Sequence, residues 1–461
     1  MTPPGAWADE GGRPWIGRGR AERPLRILYL HQHFSTPAGA TATRSFAMAR
    51  ALAARGHAVT VACGRYAGAE TGLAGPFRRG RREGQVASFR VTEFAISAGN
   101  AQGTAARCLS YLRYAARATP LALREGWDVA IASSTPLSVA LPALAAAWRR
   151  GLPFVFEIRD PWPELPRAMG IGAPPLWWAM DRLADAACRR AAAVIALSEG
   201  MAETAVAHGA DPARVHVVPN GCDLDLFGPQ AAAWRPEQAR SSEALAVYAG
   251  AHGRANGLDL LLDAAAWLLA REERRVRLVL VGEGAEKPRL MARAAAERLE
   301  NVTFLDPLPK PLLAGLLAGS QIGVQCLADQ PAFAEWTAPN KLMDYLATGL
   351  PVVANLPGRA ARLLAEGPCG IVVPPAEAAA LGAALAALAA DPARRAALGA
   401  AGRAQAVRRW DRRLLAVRFC EIVERAAEAD HGGRQTAGSA TPLRKRDSAP
   451  VPAIAAERKR L

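Results

Sequence analysis

Between Glu335 and Pro351 the chain reads Glu-Trp-Thr-Ala-Pro-Asn-Lys-Leu-Met-Asp-Tyr-Leu-Ala-Thr-Gly-Leu-Pro, which puts two acids and a lysine around one loop-to-helix junction. Pro339 and Asn340 predict a helix start, so unpaired backbone N–H groups and the positive end of the helix dipole would face an anion beside Lys341. Asp344 falls one turn further along the same face, within reach of a sugar hydroxyl pair. Gly349 and Pro351 stop the helix, and Val352-Val353-Ala354 reads as a buried strand. A nucleotide diphosphate fits this arrangement. Each of the three charged residues taken alone could equally be a solvated surface group.

Other clusters are weaker. Gly282-Glu283-Gly284 follows the strand-like Leu278–Val281, but Lys287 stands where a dinucleotide fingerprint would have its third glycine. An NAD site is therefore not expected, whereas close backbone approach by a base or phosphate is. The loop from Gly250 to Gly257 carries His252, Gly253, Arg254 and Asn256 between a strand and a helix, an expected phosphate cradle. Glu157, Arg159, Asp160 and Glu164 crowd the end of an apolar strand, the edge from which open α/β sheets present functional groups. An internal ion pair of Arg159 with Glu157 or Asp160 is the alternative there. His31 and His33 flank the end of the first strand and could reach a cleft or be structural. Asp223-Leu-Asp225 has the composition of a metal-holding pair, but the Asn220-Gly221 turn before it argues against that role.

These residues need a scaffold, and the chain has length for one. Its 461 residues, 51% hydrophobic and 21% charged, suffice for two domains with full cores. The net charge of +15 is carried almost wholly by arginine, with only five lysines, and favours an anionic partner such as nucleic acid, anionic lipid or phosphorylated substrate. The basic residues lack the aromatic interleaving of a nucleic-acid site. Seven scattered cysteines show neither zinc nor disulfide spacing, which suits a reducing cytoplasm. The uncharged run from Val129 to Trp148 is divided by Ser133-Ser134-Thr135-Pro136 and Pro142, so no transmembrane segment is expected.

Short apolar runs at Arg26–Leu30, Ala58–Ala62, Val129–Ala132, Phe154–Ile158, Val194–Leu197 and Val215–Val218 alternate with helical stretches. The alternation restarts at Leu245–Tyr248 and continues through Val276–Val281, Val302–Leu305, Ile322–Gln325, Val352–Ala354 and Gly370–Val373. Two doubly wound α/β domains in series are expected, with a ligand in the cleft between them. The expected division is a flexible tail over 1–24, a first domain over 25–220, a connection over 221–243 and a second domain over 244–409. A last helix over 410–430 would cross back to the first domain, and a basic disordered tail would fill 431–461. The stretch from Thr104 to Thr119 sets Arg113 and Arg117 beside Cys108, Leu109, Leu112 and Ala116, either a helix for an anionic membrane surface or an ordinary domain helix limited by Pro120.

Several of these segments together resemble family 4 glycosyltransferases of the GT-B fold, especially the bacterial polysaccharide subgroup that includes the L-fucosamine transferases. The resemblance rests on Tyr29-Leu-His-Gln-His-Phe34, Phe156-Glu-Ile-Arg-Asp-Pro-Trp-Pro-Glu164, Val218-Pro-Asn-Gly221, Tyr248-Ala-Gly250, Leu280-Val-Gly-Glu-Gly284, Pro339-Asn-Lys-Leu342 and Gly370-Ile-Val-Val-Pro374. It implies two Rossmann-like domains facing a central cleft and a retaining transfer from a nucleotide sugar, UDP-linked, to a lipid-linked or glycan acceptor. No cofactor and no essential metal are implied. Glu335 matches the acid that contacts the donor sugar, and Asp344 stands where the family usually has the glutamate that holds the ribose. Arg and Lys that commonly grip the diphosphate fall on Ala251 and Asn256, so Arg254 and Lys341, with Gly253, are the expected replacements. Arg159 lies where many relatives have a donor-contacting histidine, and Arg159 and Asp160 join Glu335 as catalytic candidates. Gly282, Gly284 and Leu308 are the candidate contacts to the base; Gly39 and His33 are those to the acceptor. The expected setting is cytoplasmic, on the inner face of the membrane. A nucleotide-sugar 2-epimerase of the same fold and a catalytically degraded nucleotide binder are the alternatives.

Overall fold

Ile27, Leu28, Tyr29 and Leu30 are all fully buried, the requirement for a parallel strand covered by helices on both faces. The computed structural model describes residues 23–437 apart from 42, 100, 101, 331–339 and 357. The first sheet has eight strands: β1 (Arg26–Leu30), β2 (Ala58–Tyr66), β3 (Arg81–Val86), β4 (Phe89–Ala98), β5 (Val129–Ser133), β6 (Phe154–Ile158), β7 (Ala193–Ala196) and β8 (Val215–Val217). Their order is β3-β4-β2-β1-β5-β6-β7-β8, parallel except for the edge strand β3. The second sheet has six: β9 (Ala244–Ala249), β10 (Val276–Val281), β11 (Val302–Leu305), β12 (Ile322–Gln325), β13 (Val352–Ala354) and β14 (Gly370–Val372). Their order is β11-β10-β9-β12-β13-β14, all parallel. Strand order reverses between β1 and β5 in one sheet and between β9 and β12 in the other. At such switch points diverging loops leave a crevice at the carboxyl ends of the strands, where ligands of doubly wound sheets sit.

Three elements differ from the sequence reading. The hairpin β3–β4 was not expected, because β3 (Arg-Arg-Glu-Gly-Gln-Val) buries only Val86 and β4 buries the polar Thr92 and Glu93. Glu93 is held there by Arg82 at 2.8 Å and by Thr71 at 2.6 Å. The helix Thr104–Ala122 runs through Pro120 instead of ending before it, since a proline so near the end removes few helical hydrogen bonds. The last helix, Arg412–Ala437, extends past the expected tail start because a helix already nucleated on a core adds residues cheaply. Its Leu415, Ala416, Phe419, Ile422 and Val423 pack with Ile27, Tyr29, Ala49 and Leu52 of the first domain. Where the chain recrosses, Cys222 N–H donates to Trp410 O at 2.8 Å and Arg412 N–H to Cys222 O at 3.0 Å. Among the described residues, no helix is long and apolar enough to cross a membrane.

Candidate functional site

In the second domain the loops leaving β9 and β10 are zipped together by their backbones. Gly250 N–H donates to Val281 O at 2.9 Å, His252 N–H to Glu283 O at 2.9 Å, and Glu286 N–H to His252 O at 2.9 Å. Gly282 has φ +145°, and a Cβ there would overlap Gly250 O; a Cβ on Gly284 would overlap His252 O. Both glycines are therefore required by backbone approach alone. Gly253 is different: its φ is −113° and the nearest atom to a Cβ would be 4.0 Å away. The His252 ring is fully buried beside Tyr248 and Phe304, and neither ring nitrogen has a partner among the described residues. Burial, with Lys287 nearby, pushes it down to about 4, so it is neutral.

Asn340 opens the helix Asn340–Thr348, as the sequence indicates, and Lys341 points inward from it. Its ammonium lies 4.0 Å from the centroid of the Tyr248 ring and close against Gly250. Among the described residues no carboxylate pairs with it, and burial lowers it to about 7. A buried ammonium without a counter-charge is costly, and an incoming anion removes that cost. Arg254 sits across the loop with its side chain 88% exposed, its guanidinium 3.6 Å from Glu286. Asp344 is buried and accepts from Lys310 at 2.8 Å, a partner the sequence did not suggest because it lies in another helix, Lys310–Ala318. Leu308 is partly buried against the same core as Leu342 and Tyr345. Lys287 ties two loops together, donating to Asp306 at 2.7 Å and to Leu305 O at 3.2 Å. Glu335 and Pro339 lie outside the described residues.

At the first domain's switch point the crowded strand end sorts itself. Glu157 does not pair with Arg159, as one reading of the sequence allowed. It accepts instead from Arg44 at 2.8 Å and from Tyr29 and Ser133 at 3.1 and 2.5 Å. Burial alone would raise this carboxyl, but Arg44 and Arg159 outweigh it and hold it below its usual range. Arg44 also donates to Val218 O and Pro219 O, so the pair is fully satisfied. Arg159 is left to donate to His31 Nε2 at 2.7 Å. A guanidinium has no acceptor, so His31 carries its proton on Nδ1 and donates it to Ser45 Oγ at 2.8 Å. Burial and then Arg159 push His31 well below its ordinary value, keeping it neutral. His33 is part-buried beside Tyr66, ring centroids 4.3 Å apart, and its Nε2 has no partner among the described residues. Burial, then Arg159 and Arg107, bring it down to about 3. Asp160 accepts from Thr135 Oγ1. A Cβ at Gly39 would collide with Ser35 Oγ and Glu70 N, so this glycine shapes its own loop.

The domains meet where Leu356 packs against Leu165 and Met169, with Ala255 and Leu327 beside them. Asp225 pairs with Arg413 of the last helix, which accounts for one member of the acidic pair without a metal. Among the described residues no three His, Cys, Asp or Glu side chains cluster as a metal site would.

Residues 39–221 match the model of a glycosyl transferase 4-like domain, and residues 243–391 that of glycosyl transferases group 1. The chain is 34% identical over 183 residues to a D-inositol 3-phosphate glycosyltransferase of Kribbella flavida, covering 37% of this chain and 42% of that protein. It is 34% identical over 206 residues to D-inositol 3-phosphate glycosyltransferase 2 of Catenulispora acidiphila, covering 42% of this chain and 46% of that one. The match thus spans less than half the length of these curated relatives. Among solved structures, Anabaena Alr3699/HepE in complex with UDP and glucose superposes with a TM-score of 0.63 at 20% identity, over 86% of this chain and 98% of that one. Sucrose-phosphate synthase from Thermosynechococcus elongatus gives 0.69 at 18%, over 88% and 100%. WaaG, a glycosyltransferase involved in lipopolysaccharide biosynthesis, gives 0.60 at 16%, over 86% and 99%.

Proposed function

This chain belongs to the glycosyltransferases of the GT-B fold, its two halves matching two of their domain models, and from that premise we propose that it moves a sugar from a nucleoside diphosphate to an acceptor held by the first domain. The observation that carries this reading is Lys341, part-buried and without a carboxylate partner among the described residues, at the mouth of a glycine-shaped loop and the start of a helix. As the glycosidic bond breaks, charge grows on the leaving diphosphate. A cation already desolvated beside that oxygen favours the transition state over the ground state. Arg254, largely exposed beside Glu286, can swing onto the same phosphates, and the first backbone N–H groups of Asn340–Thr348 add to them. The transfer is retaining, with the departing phosphate oxygen accepting the acceptor's proton on the same face, and needs no essential metal.

In this reading Glu335 contacts the donor sugar, Asp344 the ribose, and Gly282, Gly284 and Leu308 the base. Arg159 and Asp160 act with Glu335 at the reacting centre, and His33 and Gly39 line the acceptor side. UDP is the preferred nucleotide, in keeping with the Anabaena relative solved with UDP and glucose. The sugar is an N-acetylated deoxyhexose and the acceptor a lipid-linked or polysaccharide glycan, handled in the cytoplasm. That assignment follows the motif likeness to the polysaccharide subgroup. A second reading, favoured by the names of the curated relatives, has a phosphorylated polyol as acceptor.

The test is a melting-temperature shift across UDP, GDP, ADP, TDP and CMP on the wild type, Lys341→Ala and Arg254→Ala. The expected result is a shift with UDP that both variants lose; no shift with any nucleotide overturns the proposal. Product analysis with UDP-sugars then separates transfer from epimerisation, which consumes donor without an acceptor, and inositol phosphate as acceptor tests the second reading.

A further inference from the structure

Two helices of the first domain touch the second, and one side chain ties them together. The helix Glu164–Ala168 follows β6 and sets Leu165, with Met169 just beyond it, against Leu356. The helix Glu199–Ala207 opens with Glu199, which pairs with Arg359. Leu356 and Arg359 both follow β13 closely, so one short piece of the second domain meets both helices. His208 closes the second of these helices, and its Nε2 lies 2.8 Å from Glu164 Oε1 at the start of the first. Its Nδ1 lies 2.8 Å from Asp185 Oδ1, on the helix Pro174–Arg190, which packs into the domain core through Ala184, Ala187 and Cys188.

An ionised carboxylate accepts hydrogen bonds and donates none, so a ring bonded through both nitrogens to two carboxylates carries both protons. With one proton gone, a lone pair faces one of the acids and that arm opens. The other oxygen of Glu164, Oε2, is buried with no partner among the described residues, so His208 is what holds this carboxylate. The hydrogen bond to Glu164, opposed by burial and helped by Asp185, raises the ring to about 8. Around it, Pro174–Arg190 also brings Arg189, which pairs with Asp185 and lies against Gly209, and the Cys188 thiol, pushed up to about 12 by burial. The segment after β6 brings Asp160, bonded to Thr135, and Arg167, paired with Asp181 at 2.8 Å. On the element of His208 itself, Glu203 and the Asp211–Arg214 pair are exposed.

Glu164 anchors the stretch that begins at Arg159. Pro161 and Pro163 stand between Asp160 and Glu164, and their fixed φ makes that link stiff. Leu165 N–H donates to Pro161 O at 2.9 Å and Arg167 N–H to Pro163 O at 3.1 Å, which ties the short helix back onto the prolines. Asp160, Trp162 and His208 line one small cavity. We propose that His208 is a positioning residue for sugar transfer: bridging Glu164 and Asp185, it fixes Arg159 and Asp160 at the cleft and seats Leu165 on the second domain. The bridge follows from the three side chains alone, whereas its effect on turnover rests on the transferase reading.

The experiment is amide hydrogen exchange of the full chain from pH 6.5 to 9.5, corrected for intrinsic rates, on wild type, Glu164→Gln and His208→Leu. UDP release from UDP-glucose and UDP-N-acetylglucosamine is followed over the same range, and the UDP melting shift is measured on each protein. In the wild type, protection of residues 159–169 is expected to fall about fivefold as pH passes 8, and UDP release to fall with it through kcat while KM holds. In Glu164→Gln the amide can donate to a neutral His208, which keeps its own N–H for Asp185, so protection and rate should both stay flat. His208→Leu should be poorly protected at every pH and keep the UDP melting shift. Protection independent of pH in the wild type, a fall that Glu164→Gln shares, or full protection in His208→Leu overturns the proposal. Protection that follows this pattern while UDP release ignores it overturns the positioning role. A wild type that binds UDP yet releases none from either sugar nucleotide overturns that role together with the transferase reading, and exchange then decides the bridge by itself.

Discussion

The Lys341 ammonium and the Tyr248 ring, one at a helix start and the other on β9, are 4.0 Å apart with no carboxylate among the described residues to neutralise the charge. The ring face offers a cation a little of what water would have given. Lys341 has a folded value of about 7 against roughly 10.4 in an unfolded chain. Between those values the unfolded chain binds a proton that the empty folded protein does not, so the stability of the empty protein rises with pH across that window. Below pH 7 the fold carries the buried charge at full cost. Lys341→Met removes the group: the variant should be more stable than wild type at pH 6, and the gap should shrink as pH rises above 7. Urea unfolding at pH 6 and 9 measures it. Titration calorimetry with UDP at pH 8 in buffers of different ionisation heat should show proton uptake in the wild type and none in the variant.

Gly282 and Gly253 should answer oppositely to the same substitution. Gly282→Ala places a methyl group onto Gly250 O at a positive φ, which must push the two loops apart and abolish the UDP melting shift. Gly253→Ala meets nothing closer than 4.0 Å and should leave stability within about 0.5 kcal/mol. Thermal melts with and without nucleotide on both variants check this.

Arg44→Met should cost about 3–5 kcal/mol, because it strands a fully buried Glu157 carboxylate. Arg44→Met/Glu157→Leu should recover part of that loss, since no charge is then left inside. Urea denaturation of the single and double variants measures both.

His208 sits between Glu164 and Asp185, 2.8 Å from each, and hydrogen bonding to Glu164, opposed by burial and helped by Asp185, raises it to about 8. A raised histidine stabilises the fold fully below its unfolded value near 6.5, and that contribution disappears as pH climbs through 8. Discounted for the partly exposed acids, the effect is about 1 kcal/mol. The melting-temperature difference between wild type and His208→Gln should be largest near pH 6 and vanish by pH 9.

The strand series and the Lys341 helix were legible because their signals are local: an apolar run bounded by turns, and a proline, a polar cap and a cation in consecutive positions. The partners of the charged groups were not. Glu157 meets Arg44 and Asp344 meets Lys310 only after the sheets form, so nothing within a few residues of either acid announces its partner. The hairpin of β3 and β4 escaped for another reason. An edge strand needs one buried residue at most, and Glu93, buried in an ion pair, interrupts the apolar pattern of its neighbour.

The last helix completes a core whose other members, from Leu25 to Val218, all precede the second domain in the chain. Translation therefore delivers the second domain in one unbroken stretch while the first waits, one wall open, for residues after Arg412 to arrive. Of the two domains, the one started earlier is closed last, and a chain ending before Phe419 would have the core residues of its second half and an unsealed first half.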